Sequence, residues 1–332
     1  MTTGYTGGVK RATSTIAIAA AGAALAAAAC GASSAASVDA AAVDAWSIDA
    51  PPGEPQFEQG PRRGRVEVMQ VRGVDGQPAP AEAQAMFATT PTSLQFVFYA
   101  RVGVMHWQAE VMRSGECRLL EPTPAFCTAC TGVCVATETC EPYPSYASAG
   151  GLTFTGLVVD PFALAPMILG GQPYWYASQG GLGTGGFAAT TTVAVRAAGD
   201  AVPAFALATP AVAPLVDDLV SPLTLTPGQD AEVTWRPAAG DARVRLRLNA
   251  NNTGHAAPYH AIIECDSPDD GHIAIDRALI DRFPRTVDLG ACVGSDCPPS
   301  TLTRYRVAAI DVGGAPVELV VGARRDVWLY RP

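Results

Sequence analysis

Arg243-Val-Arg-Leu-Arg-Leu-Asn249 alternates charged and apolar side chains one residue at a time. Successive side chains of a strand point to opposite faces, so Val244, Leu246 and Leu248 share one face and Arg243, Arg245 and Arg247 the other. The pattern predicts that the first set faces a core and the second faces water. The same period runs through Val66 and Val68, through Leu94, Phe96 and Phe98, and through most of the chain beyond residue 63. Gly, Pro, Ser and Thr separate these runs, as at Pro227-Gly228. Only Asp276 to Phe283 has helical spacing, with Asp276 placed to cap it. Many short strands without alternating helices predict an all-β chain, most simply an antiparallel β-sandwich.

The cysteines constrain how those strands are joined. Eight of the nine lie in the strand-patterned region: Cys117, Cys127, Cys130, Cys134, Cys140, Cys265, Cys292 and Cys297. An even set in an exported chain is expected to form disulfides. Cys127-x2-Cys130-x3-Cys134-x5-Cys140 is also compatible with a four-thiolate zinc site, but an oxidising compartment disfavours free thiolates. Five of the eight fall at 117–140 and three at 265–297, both odd numbers. Complete pairing within one chain therefore requires a bridge between the groups. Cys292 and Cys297 can close on each other, which points to Cys265 as the crossing member. The stretch 117–140, short of apolar periodicity, is expected to be a loop held by its bridges.

The ninth cysteine, Cys30, ends a segment with the parts of an export signal. Lys10 and Arg11 precede an apolar run, Ile16 to Ala29, and small residues lead to the cysteine. Ala27-Ala28-Ala29-Cys30 resembles the lipobox of bacterial lipoproteins, although Leu25 lies five residues before the cysteine rather than three. The resemblance implies removal of residues 1–29 and acylation of Cys30. Gly31, in place of Asp, implies sorting to the outer membrane, facing the periplasm or the cell surface. Residues 30–63, with Asp39, Asp44, Asp49 and four prolines among small residues, are expected to form a disordered tether. Such leaders resemble those of uncharacterised envelope lipoproteins. Pro203-Ala-Phe205, Val233-Thr-Trp-Arg-Pro237 and Ile263-Glu-Cys-Asp266 resemble segments of their Ig-like, Greek-key modules. The body is accordingly divided into a β-rich module, 64–210, with the cysteine-rich loop 117–140, and a β-sandwich module, 211–332. A single larger sandwich fits the same pattern.

Charge and composition exclude several chemistries. The chain has 22 Lys plus Arg against 31 Asp plus Glu. Without residues 1–29, which hold two bases and no acid, the balance is 20 against 31, or −11. Such a surface repels phosphate backbones, so nucleic acid is not an expected partner. Lys10 is the only lysine, so the mature chain has no lysine for a P-loop, a Schiff base or a Ser–Lys pair.

No remaining motif carries chemistry clearly. Gly181-Leu-Gly-Thr-Gly-Gly186 has dinucleotide-loop spacing, but the expected strand at 190–196 follows it and residue 206 is alanine, so a turn is predicted. His255 and His260, near Glu264, are weak candidates for a metal site because Pro258 disrupts regular spacing. Asp266-Ser-Pro-Asp-Asp-Gly271 is predicted to be a turn rather than a calcium loop. Asp217-Asp218 reads as a solvated connection, and Tyr174-Trp175-Tyr176 as core rather than a sugar platform. No catalytic residue and no cofactor is therefore expected. The sequence supports a lipid-anchored, non-enzymatic binding or structural module with an envelope protein or glycan as partner. An envelope hydrolase or metal-dependent enzyme and a carbohydrate-binding domain are the alternatives.

Overall fold

A computed structural model describes residues 55–57, 60–99, 102–106, 108–122, 126–169, 172–178, 180–250, 260–286 and 300–332. Cys30, His255, Cys292 and Cys297, together with 1–54, lie outside the described residues, as do the side chains of His106, Tyr174 and Trp175.

The first half contains β1 (Arg62–Arg72), β2 (Pro78–Thr92), β3 (Gln95–Tyr99), β4 (Val102–His106), β5 (Ala109–Ser114) and β6 (Cys117–Glu121). Then come β7 (Gly132–Ala136), β8 (Thr139–Pro142), β9 (Leu152–Thr155), β10 (Phe162–Leu164), β11 (Met167–Leu169) and β12 (Gln172–Ala177). β13 (Thr192–Ala197), β14 (Phe205–Pro210), β15 (Leu223–Thr224), β16 (Ala231–Thr234) and β17 (Arg243–Asn249) follow. β18 (Ile262–Pro268), β19 (His272–Ile275), the helix α1 (Arg277–Arg282), β20 (Ser300–Asp311), β21 (Pro316–Val327) and β22 (Leu329–Tyr330) complete the described elements. The described residues are thus all-β apart from one short helix. Asp276 caps that helix, its side chain accepting the Ala278 N–H.

Ten strands form one sheet in the order β11-β12-β2-β1-β21-β20-β17-β18-β6-β5, and four form another, β10-β9-β13-β14. The buried faces of the two meet in a sandwich-like core. Val66, Val68, Ala83, Ala85, Leu246, Leu248, Leu319 and Val321 come from the larger sheet, and Phe154, Val195 and Leu207 from the smaller. Phe87 spans the interface, 5.7 Å from Phe205 and edge-on to Tyr176 at 5.6 Å. Gly64 makes room for it, because a Cβ there would lie 2.3 Å from the Phe87 ring.

Three sequence expectations change. First, not every pair is antiparallel: β1 runs parallel to β21, from Gly64 opposite Val317 to Arg72 opposite Arg325. No hairpin dictates the direction of strands so far apart in sequence. Second, 117–140 is not a loop throughout. Cys117 begins β6, a strand of the large sheet, and β7 and β8 form a separate hairpin. Third, Arg243 is buried and Arg245 and Arg247 are half-buried, so this face of β17 is not a wetted surface. The expected boundary at residue 210 coincides with the end of β14. The large sheet draws strands from both sides of it, with seams at β1–β21 and β18–β6.

The second seam carries a disulfide. Cys117 lies directly opposite Cys265 and is bonded to it across 148 residues of sequence. The neighbouring Asp266 N–H donates to the Glu116 carbonyl, which leaves the cysteines at a non-hydrogen-bonded position. Facing side chains approach most closely at such positions. Cys127–Cys134 and Cys130–Cys140 staple the β7–β8 hairpin, so these four sulfurs are paired with one another rather than arranged as thiolates around zinc.

Candidate functional site

The face of the large sheet opposite the apolar core carries a concentration of ionisable groups. Register places them across strands in opposite-sign pairs: Arg65 opposite Glu318, Arg118 opposite Glu264, and Arg245 opposite Asp266. Facing opposite charges are the stabilising arrangement for neighbouring strands. Each of the three carboxylates is buried. A buried charge is tolerated only when it is paired and hydrogen-bonded, and these are.

Arg65 donates to Glu318 Oε2 from Nε at 3.1 Å and from Nη2 at 2.8 Å. The other oxygen, Oε1, lies 3.3 Å from Arg62 Nε. Arg118 reaches Glu264 Oε2 through Nε at 2.9 Å and Nη2 at 2.6 Å. Asp266 collects the most donors. Arg243 Nε reaches its Oδ1 at 2.6 Å, Arg245 Nε its Oδ2 at 3.1 Å, and the Tyr305 hydroxyl also donates to Oδ2. Arg245 stacks over the Tyr305 ring at 4.7 Å and donates to its hydroxyl at 2.8 Å. Burial raises the Tyr305 phenol well above its ordinary range, with the Asp266 charge acting in the same direction. The phenol is thus held as a hydrogen-bond donor.

Further along the face, Arg324 bridges Glu82 at 3.0 Å and Asp326 at 2.9 Å. Burial opposes the Arg324 charge, but the two carboxylates outweigh that effect and its proton is bound more tightly than usual. Burial raises the Asp326 carboxyl, and the Arg324 attraction only partly offsets this.

Residues 55–57 lie on this face. The Gln56 N–H donates to Asp266 Oδ1 at 3.0 Å, and its carbonyl accepts from Arg245 Nη2 at 2.7 Å. Phe57 is buried, with the Arg118 guanidinium 4.1 Å and the Arg113 guanidinium 5.1 Å from its ring centroid.

Several residues singled out by sequence occupy other positions. Glu264, a weak metal candidate, has its carboxylate taken by Arg118, while His260 is exposed. Among the described residues, no three His, Cys, Asp or Glu side chains converge as a metal site. The Asp217 side chain is completely buried and pairs with Arg325 at 2.9 Å, so it does not belong to a solvated connection. Within 266–271 the turn is shorter than expected, because β18 continues to Pro268. Asp269 is consumed by Arg304 Nε at 2.8 Å and by the Trp235 indole N–H at 2.7 Å. Gly181–Gly186 closes a turn against the sheet, where Gln70 donates to the Gly185 carbonyl at 2.6 Å. Tyr176 is core, as expected; its hydroxyl accepts from the Ala149 N–H and donates to the Gly150 carbonyl, each at 2.9 Å.

The buried charge face was missed by sequence reasoning. A signal for it was present: 21 of the 22 basic residues are arginine. The planar guanidinium fork suits buried, multiply bonded carboxylate pairs, whereas lysine favours hydrated surfaces.

No family model matches the chain, and no curated protein is similar to it. Among solved structures, one described as "Structural insight into host cell surface retention of a 1.5-MDa bacterial ice-binding adhesin" aligns at 10% identity. That alignment covers 82% of this chain and 100% of the other, with a TM-score of 0.14, too low to support an argument about fold or function.

Proposed function

We propose that the protein is an exported lipoprotein, acylated at Cys30 and held at the outer membrane, whose β body serves as a non-enzymatic binding or structural module. In this reading the body is built from one or two Ig-like modules and engages an envelope protein or glycan. The Cys117–Cys265 bridge is the observation that carries it. That bond cross-links two strands of one sheet from distant parts of the chain, and such bonds persist in oxidising compartments. The ion-pair geometry supports the non-enzymatic part. Glu264, Asp266, Glu318 and Asp269 all have carboxylate oxygens engaged by arginines, which suits rigid architecture better than proton transfer.

Expression of the full chain and a Cys30→Ala variant with a clickable fatty-acid analogue tests the proposal. The wild-type chain should carry the label and sediment with membranes. The variant should lose the label and appear in the soluble periplasmic fraction. Unlabelled wild-type protein in the cytoplasm would overturn the reading.

A further inference from the structure

Gln56 and Phe57 are held by contacts of the kind a protein makes to a bound peptide. Both backbone polar groups of Gln56 are met by side chains, Asp266 accepting at 3.0 Å and Arg245 donating at 2.7 Å. The Phe57 ring sits against two guanidinium groups, where cation–π attraction adds to burial.

The parts of this clamp are positioned independently of the segment they hold. Arg118 is fixed by Glu264 at 2.6 Å, and Arg113 by Glu110 at 2.6 Å. Asp266 is fixed by Arg243, and Arg245 by Tyr305. A preformed site loses little freedom on binding, so few contacts can suffice. The chemistry reads the main chain of one residue and the aromatic ring of the next.

We infer that Asp266, Arg245, Arg118 and Arg113 form a docking site for an extended polypeptide segment that carries an aromatic residue, and that Gln56–Phe57 fill it in cis. Only the short stretch 58–61 separates the occupant from β1. Such a tie gives a high effective concentration, so a contact too weak to last between molecules stays filled within one. The site thereby clips the chain ahead of β1 onto the charged sheet face. A competing segment must supply both an extended backbone and a ring to replace it. The inference concerns the body alone and holds whether or not Cys30 is acylated.

The probe is a fluorescent synthetic peptide copying residues 52–60, with a Phe→Ala version as control. It is titrated into the full mature chain and into its Phe57→Ala variant. Vacating the ring site should let the variant bind the peptide at least tenfold more tightly than the wild type, and the control peptide should bind neither. Equal binding by both chains, or binding indifferent to the peptide's phenylalanine, overturns the inference. A second measurement uses the wild-type chain only. Millimolar peptide, synthesised for this assay with glutamine in place of its own two glutamates so that the protease spares it, should displace the resident segment and speed cleavage after Glu58 by a Glu-specific protease, whereas the control peptide with the same replacements should not. A cleavage rate unchanged by the peptide would also overturn it.

Discussion

Replacing Cys117 and Cys265 together by alanine should cost far more stability than removing either bridge of the β7–β8 hairpin. The Cys117–Cys265 bond closes 148 residues, whereas Cys127–Cys134 and Cys130–Cys140 close 7 and 10. In the chain-entropy account the long closure restricts the unfolded chain by about 5 kcal/mol and each short one by about 2.5 kcal/mol. The native side of the balance changes little, because the β6–β18 ladder still pairs Ile262 with Leu120 through Glu264 with Arg118. Urea unfolding followed by tryptophan fluorescence measures the difference. With an m-value of about 3 kcal/mol/M, the Cys117→Ala/Cys265→Ala midpoint should fall by about 1.7 M. The Cys127→Ala/Cys134→Ala midpoint should fall by half that or less, since among the described strands β7 pairs with β8 alone. A long-closure variant no less stable than the short-closure one would refute the reasoning.

Three further outcomes follow from particular contacts. Glu264→Gln leaves the buried Arg118 guanidinium facing the half-exposed Glu110 carboxylate at 3.6 Å in place of its close buried partner and should destabilise by about 3 kcal/mol, while Arg118→Leu/Glu264→Leu should recover most of that in the same urea assay. Tyr176→Phe removes the partner of the Ala149 N–H and the Gly150 carbonyl and should cost about 1–3 kcal/mol. Burial, reinforced by Asp270, raises the Glu116 carboxyl above its ordinary value of 4.5 despite a hydrogen bond from Ser267. The folded chain then binds that proton more tightly than the unfolded chain, so ionising Glu116 lowers stability as the pH rises through this range. Glu116→Gln should accordingly raise the urea midpoint at neutral pH and leave it unchanged well below pH 4.5. An equal shift at both pH values would contradict the assignment.

What the sequence reveals and what it hides divide along a physical line. Alternation in Arg243–Asn249 identifies β17 and its core face, because periodicity reports a difference between two faces. It does not report whether the more polar face is wet. That depends on partners distant in sequence: Glu318 lies 253 residues from Arg65, and Glu264 lies 146 from Arg118. The same limit applies to Asp217, whose partner Arg325 belongs to a strand near the other end of the chain. Asp276 was legible because capping is local. The parity of the cysteine groups demanded a crossing bridge, and Cys117–Cys265 is one. Parity could not choose Cys117 over the other four, since the strand it opens has only five residues and sits beside a stretch without apolar periodicity. The parallel β1–β21 pairing left no sequence trace at all, because a strand's own pattern is indifferent to the direction of its neighbour.

Non-reducing peptide mapping of the protein purified from its native cells, with free thiols alkylated at lysis, tests the central claim most directly. A β body stapled across its sheet in an oxidising compartment predicts a single linked species joining the peptide that holds Cys117 to the one that holds Cys265. Recovery of both cysteines as alkylated free thiols would contradict the architecture and the export reading together.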